Sequence, residues 1–374
     1  MKKLNEQTKF NTFSFVSTFA RSLIEIFISL YLFKNGYSIK QVLVFYFFVN
    51  LFAIPLSYLF VKIGEKTKYI YVMIIGLIAF VLVQILLRNI VYSNFYLMFI
   101  ALIYSIYRRG YWIARRFYIT TVMPTKKTSG LFSIILVLSQ IASILAGYVG
   151  SVIFSKDNIA LLTIISSVLL FLSIIPLFNI KYVNTTKKID LKSNLRKYNK
   201  SNYLIFSVYE LNNLLTFIFP LYTAVYIENS YSLAGNLNAI TNIAIIIFII
   251  FYGKLLDKNR NYVVISTMLV LLCSIFKLSI TNYFVLLVYF VEGIVNKMQN
   301  QSINKIYFEN RADMDLTHYN LIYQVVECSV RAIATIPLLF ISDIKLMIIV
   351  VMFIIFLMLI AYIYSTKKSQ LKDK

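Results

Sequence analysis

Twelve apolar runs, each about as long as a bilayer is thick, leave this chain little choice of fold. A helix needs about 20 apolar residues to cross the hydrocarbon core. Runs of that kind lie at 11–33, 41–61, 70–87, 95–119, 130–154, 159–179, 203–227, 233–253, 262–281, 283–307, 319–341 and 345–365. The links between them are too short to hold a soluble domain. The chain is 60% hydrophobic and 14% charged, with a mean hydropathy of +0.77. That is more apolar surface than a soluble domain of 374 residues can use. The expected class is an all-α integral membrane protein with twelve transmembrane helices.

The placement of charge refines this. A net charge of +22 raises nucleic acid as a partner. However, the basic residues sit in short links between apolar runs, as membrane topology requires, so no nucleic acid is expected. With the N-terminus inside, the inner links and termini hold 23 Lys and Arg and the outer links hold 5. This count predicts both termini in the cytoplasm of a bacterial cell and an even number of spans. The longest link, 180–202, carries seven basic residues, from Lys181 to Lys200, and divides six runs from six. The expected organisation is a first bundle over 1–179, a cytoplasmic basic linker over 180–202, and a second bundle over 203–374. The basic start runs into a helix carrying Arg21 and Glu25 with no A-x-A-like site, so an uncleaved first helix is expected. Cys273 and Cys328 lie in separate apolar runs and are expected as buried thiols. His318 has no partner histidines for a metal site, and no G-x-x-x-x-G-K-[ST] loop offers a nucleotide site. No metal, cofactor or catalytic residue is expected.

Two of the inner links resemble each other. Gly253-Lys254-Leu255-Leu256-Asp257-Lys258-Asn259-Arg260-Asn261 joins the eighth and ninth runs. A weaker copy, with Lys62, Gly64 and Lys66, joins the second and third, with Ser57 and Val61 where the first glycine and the aspartate would stand. Both fit an imperfect G-x-x-x-D-R-x-G-R-[RK] pattern. Internal repeats of this kind are how many secondary transporters are built. The paired loops, the equal halves and the basic linker resemble the major facilitator superfamily. That resemblance implies two pseudo-symmetric six-helix bundles around a cavity lined by helices 1, 4, 7 and 10. It also implies that Lys62, Gly64, Lys66, Gly253, Asp257 and Lys258 act as gating loops, with Asp257 as a cytoplasmic latch. The glycine-proline run of the family's drug antiporters is absent from the fifth run. Small residues do recur there, with Ser143 and Gly147 at i, i+4 and likewise Ala142, Ala146 and Gly150, a spacing that lets helices approach.

Ionisable groups at mid-bilayer cost at least ~2.5–3.5 kcal/mol each, so each needs a partner or a water-filled cavity. Seven fall on the four helices that the resemblance makes cavity helices: Arg21, Glu25, Arg108, Arg109, Glu210, Glu292 and Lys297. With Trp112, the only tryptophan, one turn from Arg108, they are the expected substrate-binding residues. Arg21 and Glu25 share a face at i, i+4, as do Glu327 and Arg331, and each pair can neutralise itself. The second pair lies off the cavity helices and is expected to do so. Arg108 and Arg109 point about 100° apart, so at most one faces the cavity and the other pairs with an acid on a neighbouring helix. Arg115, Arg116 and Lys305 lie near the inner helix ends and Lys277 near the outer end, where long side chains can reach the interface. Glu25 and Glu292, near mid-depth, are the expected proton-coupling residues.

The expected function is secondary active transport, by alternating access, of a small polar or amphipathic organic solute across the cytoplasmic membrane. Protons are the expected driving ion, export the expected direction, and lipids and the solute the only partners of a monomer. A membrane-embedded glycan-processing enzyme and a lipid-linked oligosaccharide flippase are the alternatives. The short outer links count against the enzyme.

Overall fold

The computed structural model describes residues 6–122, 128–156, 158–179, 200–252, 262–280, 284–311 and 316–372. Every regular element among them is helical. In the first half, α1 (Glu6–Glu25) and α2 (Ile28–Lys34) make one span interrupted by a turn at Ile26 and Phe27. They are followed by α3 (Ile39–Lys66), α4 (Tyr69–Arg88), α5 (Asn94–Val122), α6 (Thr128–Ser155) and α7 (Ile159–Ile174), which ends in a 3₁₀ turn over Ile175–Asn179. The second half comprises α8 (Lys200–Tyr226), α9 (Tyr231–Tyr252), α10 (Tyr262–Ser279), α11 (Val285–Arg311), α12 (Leu316–Leu338) and α13 (Ile344–Lys372). Of the expected linker, residues 180–199 lie outside the described residues, and 200–202 form the first turn of α8.

Among the described residues, ten helical spans are long and apolar enough to cross a membrane. The two that fall short are α5 and α11. They have ample length, at 29 and 27 residues, or about 40 Å at ~1.5 Å per residue. Their charges set them apart: Arg108, Arg109, Arg115 and Arg116 on α5, and Glu292 and Lys297 on α11. A helix so charged must turn that face away from lipid, which makes it a candidate cavity wall. Elsewhere apolar side chains such as Phe95, Tyr148, Phe251, Phe340 and Phe353 stand exposed on the outside of the bundle, as lipid-facing positions should.

Local signals explain several helix ends. Ser38 opens α3 with a capping box: its hydroxyl accepts from the Gln41 amide at 3.3 Å, and the Gln41 side chain accepts from the Ser38 amide at 2.9 Å. Asn158 caps α7 through the Leu161 amide at 3.1 Å. Pro55, Pro220 and Pro337 lie inside α3, α8 and α12 without ending them.

The packing repeats between halves. The first span packs on α6 and α7, and α8 correspondingly packs on α12 and α13. Similarly, α4 pairs with α5 as α10 pairs with α11. The halves join chiefly through α6 with α9 and α3 with α12. The α6–α9 seam is close because it is made of glycines. A Cβ on Gly235 would stand 2.8 Å from the carbonyl oxygen of Gly147, a backbone neighbour that cannot swing aside. The Asn238 side chain then donates across the seam to the Ser143 carbonyl at 3.1 Å.

Candidate substrate cavity

Between the halves lies a cavity of about 570 Å³. Its wall is built from helical stripes. On α1 the lining residues are Thr18, Arg21, Ser22 and Glu25, and on α5 they are Tyr104, Arg108, Trp112, Arg115, Arg116 and Ile119. Both sets follow the three- and four-residue steps of one helix face. The second half contributes Glu210 and Phe217 on α8 and Tyr323, Glu327 and Arg331 on α12.

Glu25 is held entirely by its own half. Arg21 Nη1 donates to Glu25 Oε2 at 2.8 Å and to Tyr107 Oη at 2.8 Å. Tyr104 donates to Glu25 Oε1 at 2.9 Å, and Tyr107 to Oε2 at 3.2 Å. The Arg21 guanidinium also lies 4.3 Å from the Tyr111 ring centre and 5.2 Å from that of Trp112. Arg115 is likewise 5.2 Å from the Trp112 ring, so the indole sits between two buried cations. Among the described residues Arg115 has one hydrogen-bond partner, Ser139 Oγ at 3.4 Å, and its Nε has none.

Glu210 is the counterpart in the second half. Its carboxylate accepts from Arg331 Nη2, from Tyr323 Oη at 3.1 Å and from Asn213 Nδ2 at 3.2 Å. Glu327 instead belongs to both halves. It lies 3.6 Å from Arg108, 3.3 Å from Arg109 and 3.5 Å from Arg116, all on α5, and 3.4 Å from Arg331 on its own helix. Arg109 adds a hydrogen bond to Gln324 Oε1 at 3.1 Å, and Arg116 stands over the Tyr323 ring at 4.5 Å. One carboxylate thus gathers four guanidiniums, three of them from across the seam.

Of the residues expected from sequence, the structure brings Arg21, Glu25, Arg108, Trp112 and Glu210 into the cavity wall. Arg109 is not there; its fully buried guanidinium points at Gln324 and Glu327. Glu292 is not there either. It shares a face of α11 with Gln299, seven residues on, and that face packs on α10, where Glu292 pairs with Lys277 and Gln299 with Thr267. Lys277 therefore does not reach the interface: it is buried, with its ammonium 3.6 Å from the Tyr289 ring and 4.2 Å from the Phe219 ring. Lys297 lines a smaller side chamber of about 180 Å³ that shares Tyr209, Asn213 and Asn300 with the main cavity.

The charged lining residues missed from sequence are Arg115, Arg116, Glu327 and Arg331. A signal for the first existed, because Arg108, Trp112 and Arg115 continue one stripe. No such signal existed for Glu327, whose i, i+4 partner made it look self-sufficient. Among the expected gating residues, Lys62, Gly64 and Lys66 lie in the last turns of α3. Gly64 is required by packing, since a Cβ there would meet the Tyr69 ring at 2.4 Å, and that ring stacks on Phe117 at 4.1 Å. Gly253, Asp257 and Lys258 lie outside the described residues.

The model of the Major Facilitator Superfamily matches residues 11–335. The chain belongs to the major facilitator superfamily. Solved structures agree on the fold of this superfamily member. A mutant of the nucleoside transporter NupG matches with a TM-score of 0.72 at 13% identity, over 96% of this chain and 100% of the other. The fucose:proton symporter FucP of E. coli matches with a TM-score of 0.66 at 14% identity, over 96% and 98%. No curated protein matches by sequence. The superfamily member is thus a multi-pass membrane protein of transporter type.

Proposed function

We propose that this protein is a secondary active transporter that carries a small polar or amphipathic organic solute through the cavity between its halves. The observation that carries the reading is the wall itself. Five guanidiniums and three carboxylates, drawn from both bundles, line one cavity. A charged cavity at a repeat interface is where alternating access places its solute. Arg21, Arg108, Trp112 and Glu210 are the contact residues in this reading. The lining positions start near mid-span and, on α5, run on to Ile119 in its last turn. Beyond them, toward α2 and the start of α9, aromatic packing fills the seam: Tyr231 stacks on Phe154 at 4.8 Å and lies edge-on to Phe27 at 5.9 Å. With both termini in the cytoplasm of a bacterial cell, this is an inward-facing arrangement of a monomer.

Proton coupling is assigned to Glu25. It is a quarter exposed, faces the cavity, and shares Arg21 with whatever solute occupies the site. A solute group that draws Arg21 away leaves the carboxylate without its compensating cation, a place a proton can take. The fucose:proton symporter among the similar folds supports a proton as the coupled ion. The remaining expectation, export, is read by the same experiment. Purified protein is reconstituted in liposomes loaded with a pH-sensitive dye, and a solute library is added with the gradient imposed in either direction. Solute-dependent proton movement is expected. Solute exchange without any proton movement overturns the coupling, and the absence of exchange for every solute class overturns transport.

A further inference from the structure

The side chamber beside the main cavity has no part in the coupling scheme, yet it holds a buried lysine without a partner among the described residues. Lys297 is 5% exposed and, among the described residues, makes no hydrogen bond and no ion pair. An uncompensated buried ammonium is costly in a membrane bundle, and it persists where function needs it. Its surroundings are carboxamides: Asn212, Asn296, Gln299 and Asn300. Asn212 is buried with neither its Nδ2 nor its Oδ1 partnered, and Gln299 Oε1 is unpartnered as well. Buried donors and acceptors left open in this way point to a ligand that completes them.

We propose that the transported solute is an organic anion and that the side chamber is the pocket for its acid group, held by Lys297 and the Asn212 amide. This rests on the transport reading and names its substrate class. Three observations converge on it. First, the chamber opens on the main cavity through the shared side chains of Tyr209, Asn213, Thr216 and Asn300, so one solute can occupy both. Second, the sizes divide the labour. The main cavity, at about 570 Å³, lies in the range of whole-ligand sites, about 300–1,000 Å³. The chamber, at about 180 Å³, suits a head group. Third, the charge is one-sided. The main wall has two more guanidiniums than carboxylates, and Lys297 adds a further cation. Arg115, with no carboxylate partner among the described residues, provides a second anchor. A neutral solute would leave this surplus uncompensated, and a cation would add to it. Lys297 is a contact residue in this scheme. On binding, the acid group accepts from both the Asn212 amide and the Lys297 ammonium.

The test uses full-length protein in detergent and in liposomes. The probes are glucuronate, benzoate and N-acetylglutamate, each paired with its neutral amide, together with uridine and fucose as uncharged solutes. The expected result is that at least one carboxylate raises the melting temperature and drives counterflow while its amide does neither. Lys297→Gln should weaken that carboxylate at least about tenfold, a loss of ~1.4 kcal/mol, and Lys297→Arg should restore part of it. Should Lys297→Gln not fold, Asn212→Leu, which removes the second partner, must weaken the same probe. Counterflow of uridine or fucose with no response to any carboxylate overturns the anion proposal and leaves transport standing. So does a carboxylate that binds the Lys297→Gln protein as tightly as the unaltered one. Binding of no probe by any assay overturns the anion proposal as well, and the broader library above then decides the fate of the transport reading.

Discussion

Arg21–Glu25 and Glu327–Arg331 are the same motif read in opposite directions, two oppositely charged residues one helical turn apart near mid-membrane. In the first, the arginine reaches its own neighbour at 2.8 Å, and two tyrosines of the same half complete the carboxylate. In the second, the neighbour is only one of four guanidiniums, and three of those belong to the other half. Spacing along a helix makes such a pair possible, but the helix packed opposite decides whether the pair is closed or shared. A closed pair leaves its half free to move as a unit. A shared one ties the state of the cavity to the distance between the bundles.

The comparison breaks first at Glu327. Removing it strands several buried guanidiniums, so Glu327→Leu should lower stability by about 3–5 kcal/mol, measured by denaturant titration in detergent. Glu25→Leu should cost clearly less, because Arg21 keeps Tyr107 and two aromatic faces. Equal losses would show that Glu327 is no more than a second local pair. Next is Glu25→Gln, which should reduce accumulation driven by a pH gradient about tenfold or more while leaving exchange at equal pH, a change of at least ~1.4 kcal/mol in coupling. Full gradient-driven accumulation would remove Glu25 from the proton path.

The two adjacent arginines sharpen the contrast further. Arg108→Gln should weaken the solute, and Arg109→Gln should leave its affinity within a few-fold while lowering the melting temperature, since the polar partners of Arg109 among the described residues are Gln324 and Glu327. An affinity loss confined to Arg109→Gln would place the wrong guanidinium in the cavity. The smallest effect is expected at the pair set apart from the cavity. Replacing both partners together, Lys277→Met with Glu292→Leu, should leave transport unchanged and stability within ~1–4 kcal/mol, on either side of the parent. Loss of proton coupling in that double variant would return Glu292 to the mechanism.

Particular residues show how far the sequence could be read. The charges on α5 and α11 were visible as exceptions in apolar runs, and the cavity does sit against both helices. Arg115 was legible in part, one turn beyond Arg108 and Trp112 on the same stripe. Glu292 lies away from the cavity wall, paired with Lys277, because the sequence shows its depth and not its azimuth. Five residues separate it from Lys297, and on a helix that gap is enough to send one toward α10 and the other toward the side chamber.

The sequence by itself determined the solvent and the element list: a bilayer, twelve spans, and a handful of charges that lipid would not accept. Those are local properties, set by the length of an apolar run and by the cost of a charge within it. Only the tertiary structure decided which charges meet. Whether Arg109 faces solute or Glu327, whether Lys277 reaches the interface or Glu292, and whether Lys297 finds a partner at all depend on the rotation of each helix and on the neighbour it packs against. Rotation follows from side-chain interdigitation across the bundle, such as the glycine contact between α6 and α9, and no stretch of a single helix carries that information.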